Sequence, residues 1–292
     1  MKRRKTKKQS YPHDMTQPTL TIAFYQQDIA WENPEANFQM VEQAFAQLEG
    51  PVDMLVVPET FNTGFSDTMA DMAEASEGPT MAFARQMAQR YDALFVGTWT
   101  VRLADGGVVN RLHWVRPDGS CGHYDKGHTF RMSSEASQLL RGTRRELFEW
   151  RGWRVRPAVC YDLRFPKWLR NGVPDSERHK LPSNGVERPS EDVALDYDLL
   201  LVCANWPGSR HEAWITLLKA RAIENLSYVV GVNRSGIDGA DIPYTGNSAA
   251  IDYKGMPLAL CGDEKNAVAL ATLDYEKLQT FRRHWPFYLD FD

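Results

Sequence analysis

The chain has 292 residues, 43% hydrophobic and 25% charged, with a formal net charge of −4. That balance belongs to a globular protein rather than a disordered one, and the weakly acidic charge offers nucleic acid no electrostatic footprint. No run approaches the ~20 apolar residues that span a bilayer, so neither a nucleic-acid nor a membrane partner is expected.

The chain opens with MKRRKTKKQS, and residues 1–17 read as a basic, solvated, mobile tail rather than a polyanion-binding address. No apolar signal segment stands there, which makes cytoplasmic residence the expectation. From residue 18 to 292 we expect one domain. TLTIAFYQQ (19–27) alternates like a strand, and Asn33-Pro34 opens a helix that buries Phe38, Val41, Phe45 and Leu48. DMLVVPETF is a short apolar run of the doubly buried strand type. TMAFARQMAQRYD follows as a helix capped by Thr80, and ALFVGTWTV as another buried strand.

Between residues 94 and 160 the breakers ADGG, RPDGS and EWRGW mark three hairpins. Residues 173–192, rich in Pro, Ser, Asn and charge, read as a surface insertion. DYDLLLVCANW supplies a strand, HEAWITLLKARAIENLSY a helix and YVVGVNR a strand, before two hairpin-like segments, GNSAAIDYKGMPLAL and NAVALATLDY. So many buried strands mixed with helices predict an α/β fold with two sheets packed face to face and helices on both outer faces.

Cys121, Cys160, Cys203 and Cys261 form no CxxC pair and have no His at ligand spacing. Neither a disulfide framework nor a metal site is expected, and the thiols suit a reducing compartment. Cys121 and Cys203 read as small core residues in strands, and Cys261 as a turn residue.

Three strand ends carry chemistry. VVPET ends in Glu59, HYDKGHTF carries Lys126, and RPAVCYDLRF places Cys160 where a strand turns abruptly polar. Each alone has a plain structural explanation as a cap, a solvated cation or a core thiol. Together they supply a base, a cation and a nucleophile for acyl transfer at an amide or nitrile carbon. Glu59 takes the thiol proton and later activates water, Cys160 attacks, and Lys126 stabilises the developing oxyanion with the backbone N–H of Tyr161. The ammonium is also expected to lower the thiol pKa toward thiolate.

PET, YDKGHTF and CYDLRFP, followed by ANWP (204–207) and KARAIEN (219–225), resemble the nitrilase superfamily of carbon–nitrogen hydrolases, over about residues 19–287. RMSSE after the lysine, CYDLRFP and the Trp-Pro after Asn205 are most similar to its omega-amidase branch, which hydrolyses the terminal amide of 2-oxo acids such as 2-oxoglutaramate and 2-oxosuccinamate. The resemblance implies a four-layer α-β-β-α sandwich with two mixed sheets, a homodimer, and no metal or organic cofactor. It also implies a second glutamate that helps position substrate, at Glu135, whose alternative role is an exposed helix-terminal carboxylate.

A 2-oxo acid presents a carboxylate, for which arginine is the best bidentate partner. Arg164 is ranked first and Arg131 second, with an ion pair from Arg164 to Asp162 or Glu224 as the alternative. Phe65, Phe130, Tyr161 and Trp206 are candidates for an apolar wall. Arg221, Glu224 and Asn225 are read as structural supports on a helix whose other stripe, Ile215, Leu218 and Ala222, is core. The expected partner is thus a small-molecule 2-oxo acid amide. The alternatives are another activity of the superfamily, on a nitrile, an N-carbamoyl compound or an amino-acid amide, and a catalytically silent binding protein.

Overall fold

Along TLTIAFYQ, Leu20, Ile22 and Phe24 belong to one core cluster while Ala23 and Tyr25 belong to another, the period-two alternation of a strand covered on both faces. A computed structural model of the chain describes residues 18–182, 187, 189 and 192–291. The basic tail over 1–17 lies outside the described residues, as does part of the 173–192 insertion.

The first part of the chain forms β1 (Thr19–Gln26), α1 (Pro34–Phe45), β2 (Met54–Val56), β3 (Glu74–Ala75), α2 (Pro79–Tyr91), β4 (Leu94–Arg102), β5 (Val108–Val115) and β6 (Cys121–Asp125). Asn33 caps α1 by accepting the Ala36 N–H at 3.1 Å, ahead of Pro34. Phe38, Val41 and Phe45 pack inward, and Leu48 joins them from beyond the helix end. The expected Thr80 cap of α2 is corrected. Gly78 holds the capping position, and the Glu74 carboxylate from β3 accepts the Thr80 N–H at 2.9 Å, so the cap comes from a strand that the sequence pattern did not reveal.

The chain continues through α3 (Glu135–Gln138), β7 (Phe148–Trp150), β8 (Trp153–Val159), α4 (Pro166–Leu169), β9 (Leu199–Ala204), α5 (His211–Asn225), β10 (Tyr228–Asn233), β11 (Ser235–Ile237), β12 (Pro243–Thr245), β13 (Ala249–Ile251), β14 (Pro257–Leu260), β15 (Ala267–Asp274) and α6 (Tyr275–His284). NAVALATLDY, expected as hairpin-like, is instead a single strand, β15, which pairs antiparallel with the whole of β1. The hairpin β11–β12 was not anticipated.

One sheet has the order β15-β1-β2-β4-β5-β6, with β3 beside β4, and the other β14-β13-β10-β9-β8-β7. Both are mixed, with β1, β2 and β4 parallel in the first and β8, β9 and β10 parallel in the second. Leu20, Ile22, Val56 and Val96 meet Val155, Leu201 and Val230 in the core between the sheets. α1 and α2 cover the outer face of the first sheet through Val41, Phe45, Phe83 and Met87. α5 covers the second; a Cβ on Gly231 of β10 would come within 2.6 Å of Leu218, so this close approach requires glycine. The expected α-β-β-α sandwich results.

Cys203 and Cys261 are buried, but Cys121 is exposed, a correction with a simple cause: it opens β6, the edge strand of its sheet. In the described part of the insertion, Val173 and Leu181 pack against Leu195, Leu226 and Tyr288.

Candidate active site

β8 is buried as far as Val159, and Cys160 begins the tight 3-10 turn Cys160–Arg164. Its φ of 43° lies in the left-handed region that L-residues seldom occupy, and such strain persists only where surrounding contacts fix it. Asp162 accepts the Val159 N–H at 3.1 Å and the Tyr124 hydroxyl at 2.7 Å, and pairs with His128 Nδ1 at 2.8 Å. Arg221 donates from Nε and Nη2 to the Leu163 carbonyl at 3.1 and 2.7 Å, and pairs with Glu224 at 2.9 Å. Arg221 therefore braces the turn, held by Glu224, while Asn225 accepts the Asn171 N–H at 2.9 Å, structural roles as expected. The thiol lies 3.7 Å from the Asn205 carbonyl, which follows β9.

Glu59, after β2, and Lys126, after β6, arrive from the other sheet. Both are buried, and Lys126 Nζ donates to Glu59 Oε1 at 2.9 Å and to both Glu135 oxygens at 2.8 and 2.9 Å. Glu135 is fully buried at the start of α3 and also accepts the Phe130 N–H at 2.6 Å; the exposed alternative does not hold. Asn110 Nδ2 donates to Glu59 at 2.8 Å and Glu135 at 3.3 Å. Asn205 donates its backbone N–H to Glu59 Oε2 at 2.8 Å and its side-chain amide to Thr60 Oγ1 at 2.9 Å. Every oxygen of the Glu59 carboxylate thus has a donor, as burial of a charged group requires.

Burial opposes the Lys126 ammonium, but Glu135 and Glu59 outweigh it and hold its pKa above the usual lysine range. Burial pushes the Glu135 carboxyl up against the opposing pull of Lys126. Burial also pushes the Cys160 thiol well above its ordinary value, and the Glu59 charge adds to that; Lys126 opposes the rise without cancelling it. The expected thiolate is therefore corrected. The net shift is upward, away from the thiolate, while the thiol's hydrogen bond goes to the Asn205 carbonyl at 3.7 Å and Glu59 is a carboxylate whose charge acts on it.

Lys126 and Cys160 reach the floor of a cleft of about 460 Å³, with Glu59 and Glu135 buried behind the lysine. Phe65, Phe130, Tyr161, Arg164 and Trp206 line it as expected. Phe130 meets Tyr161 edge to face at 5.1 Å, and the Arg164 guanidinium lies 4.9 Å over the Trp206 ring. Neither alternative partner holds Arg164, because Asp162 is engaged by Tyr124 and His128, and Glu224 by Arg221. Arg131 is corrected: it is exposed and does not line the cleft. The Lys126–Glu135 segment turns its neighbour Phe130 inward and leaves Arg131 outside.

Arg210 lines the cleft instead, with its guanidinium 5.1 Å over the Phe130 ring. The sequence reading also missed Trp31, Asn205, Asp238 and Tyr244 on the cleft wall. Asn205 and Arg210 flank Trp206 in ANWPGSR, which was the available signal; Trp31, Asp238 and Tyr244 come from segments without a motif. Among the described residues, no group of three or more His, Cys, Asp or Glu is placed to hold a metal ion.

Residues 21–283 match the sequence profile of the Carbon-nitrogen hydrolase family. The chain belongs to that family. This carbon–nitrogen hydrolase is 39% identical to the omega-amidase YafV of Yersinia enterocolitica, over 94% of this chain and 97% of the relative. It is 27% identical to the 2-oxoglutaramate amidase of Bacillus subtilis, over 92% and 96% of the two chains. A solved CN-hydrolase superfamily protein from Xanthomonas campestris, XC1258, which carries an arsenic adduct in its active site, superposes with a TM-score of 0.84 at 41% identity, covering 94% of this chain and 97% of that one. In a hydrolase of this family, a buried carboxylate beside a thiol can move a proton, and a buried ammonium can stabilise an oxyanion.

Proposed function

We propose that this carbon–nitrogen hydrolase cleaves the terminal amide of a small 2-oxo acid, 2-oxoglutaramate or 2-oxosuccinamate, to the dicarboxylate and ammonia through a thioester on Cys160. The observation that carries the chemistry is the buried Glu59–Lys126–Glu135 cluster beneath the Cys160 thiol. As the sulfur attacks the amide carbon, its proton passes to Glu59, and the carbonyl oxygen becomes an oxyanion facing Lys126 Nζ and the Tyr161 N–H. Glu59 returns the proton to the departing nitrogen, releasing ammonia and leaving the thioester. It then takes a proton from water, which attacks the thioester carbon; the carboxylate leaves and the thiol is restored. Glu135 holds Lys126 from below and positions substrate with it.

The names of the two relatives support the substrate, and the cleft has a size suited to a small molecule. A 2-oxo group in place of an amino group also removes a positive charge that Arg164 and Arg210 at the wall would repel. We read residues 18–292 as one catalytic unit that works as a homodimer in the cytoplasm. Exposed Leu258 and Leu260 lie on one face of β14, and exposed Ile223 lies against Gly255 just before that strand, apolar side chains that support the dimer. Four free thiols support the reducing compartment. Ammonia release from 2-oxoglutaramate, glutamine, asparagine and an aliphatic nitrile tests the assignment: the keto acid amide should be the best substrate, and faster turnover of glutamine would overturn it.

A further inference from the structure

The cleft wall is cationic. Lys126 and Cys160 reach the cleft floor, while Glu59 and Glu135 lie fully buried behind Lys126 as its ion-pair partners. The wall carries two guanidiniums, Arg164 and Arg210. Among the described residues neither arginine has a carboxylate in ion-pair contact, in a chain whose net charge is −4. The wall's own acids are otherwise engaged. Asp238 accepts the Ala240 and Ile242 N–H groups at 2.9 and 3.0 Å on one oxygen and the Tyr244 hydroxyl at 2.9 Å on the other, while Asp67 accepts the Ser134 hydroxyl at 2.8 Å.

Both cations are held in place without a counter-ion. Arg164 rests on the Trp206 ring and Arg210 on the Phe130 ring, contacts that orient a guanidinium plane while leaving its N–H edge free to donate. The two halves are linked, because Trp206 Nε1 donates to the Arg210 carbonyl at 2.8 Å. Phe130 in turn packs on Tyr161, the residue after the nucleophile. The arginines therefore belong to one aromatic frame joined to the Cys160 turn.

The geometry points to Arg164 and Arg210 together as the receptor for the substrate's carboxylate end, so that an acid amide enters with its amide toward Cys160 and its carboxylate toward the wall. The reversed orientation would leave both guanidiniums without an anion and set the carboxylate, rather than the amide, over the Cys160 thiol. This deepens the reading of the site as an acid-amide hydrolase and replaces Arg131 with Arg210.

The test uses two amides of one length that differ at the far end, succinamate with a carboxylate and butyramide without. In Arg164→Gln and in Arg210→Gln, the ratio of kcat/KM for succinamate to that for butyramide should fall about tenfold or more, the scale of a lost charge-assisted bidentate contact. Arg210→Lys should recover part of the ratio, since it keeps the charge and loses the fork. A ratio taken on one protein sample cancels any unfolded fraction. A ratio unmoved in either glutamine variant, or butyramide falling as far as succinamate, overturns the proposal. If the unaltered protein favours succinamate through these arginines yet releases no ammonia from 2-oxoglutaramate, the keto-acid reading fails and the arginine assignment stands.

Discussion

The Tyr124 hydroxyl donates to the Asp162 carboxylate at 2.7 Å, joining the end of β6, just before Lys126, to the turn that carries Cys160. The same oxygen accepts the Gly127 N–H at 3.0 Å and Trp168 Nε1 at 2.9 Å. Tyr124→Phe strands these buried donors and should cost about 1–3 kcal/mol of stability. It should also lower kcat more than it raises KM, because it loosens the spacing of cation and nucleophile rather than the cleft wall. Denaturant unfolding and steady-state kinetics on the variant check both; wild-type stability would show that the hydroxyl is not the tie.

Cys160 should be irreplaceable for turnover and awkward for the backbone. Cys160→Ala is expected to release no ammonia while remaining folded. Cys160→Val, a β-branched residue forced to a φ near 43°, should be about 1–3 kcal/mol less stable than Cys160→Ala. Thermal unfolding of the pair measures the difference, and equal stabilities would mean that the turn relaxes.

Glu59→Gln should separate thiol ionisation from catalysis. The Glu59 charge helps raise the Cys160 pKa and Lys126 opposes it, so removing that charge moves the titration to lower pH. The variant's alkylation by iodoacetamide should therefore begin at lower pH than the wild type's. Turnover should nevertheless fall by about 10²-fold or more, because the proton acceptor is gone. A titration shifted upward would contradict this assignment of charges.

Lys126→Met leaves Glu59 and Glu135 buried without their cation, a change expected to cost about 3–5 kcal/mol near neutral pH. Burial already raises the Glu135 pKa. A carboxyl whose folded pKa exceeds its unfolded one contributes stability below the unfolded value and loses it as pH rises through the folded value. The deficit should accordingly shrink as pH falls from neutral toward the carboxylate range. Unfolding curves across that range test the direction, and a deficit that grows toward acid would exclude it.

The strand ends were legible because strong apolar runs stop at charged or nucleophilic residues, as VVPET and RPAVCYD do. Direction around a turn was not. Arg131 sits one residue from Phe130, which faces the cleft, yet itself faces solvent, whereas Arg210 reaches the cleft from a loop the motif brackets only in part. The Thr80 cap was misplaced because Glu74, a strand residue, supplies the acceptor through space. The protonation of Cys160 was misjudged because one neighbouring cation was weighed without the depth of burial or the carboxylate beside it. Trp31 lies close against Gly64 and Gly239, two segments far apart in sequence, and no local pattern announces that contact.

Glu59 follows a strand of one sheet, and Asn205, which donates to it, follows a strand of the other. Glu59, the proposed proton carrier, is therefore registered by the half of the sandwich to which it does not belong. A slip of the two sheets by a fraction of a hydrogen-bond length would misalign the carboxylate before any helix or strand melted. Conservative substitutions deep between the sheets, such as Val230→Ala, should consequently depress ammonia release at temperatures where the fold is still intact, making turnover a more sensitive gauge of inter-sheet registry than spectroscopy.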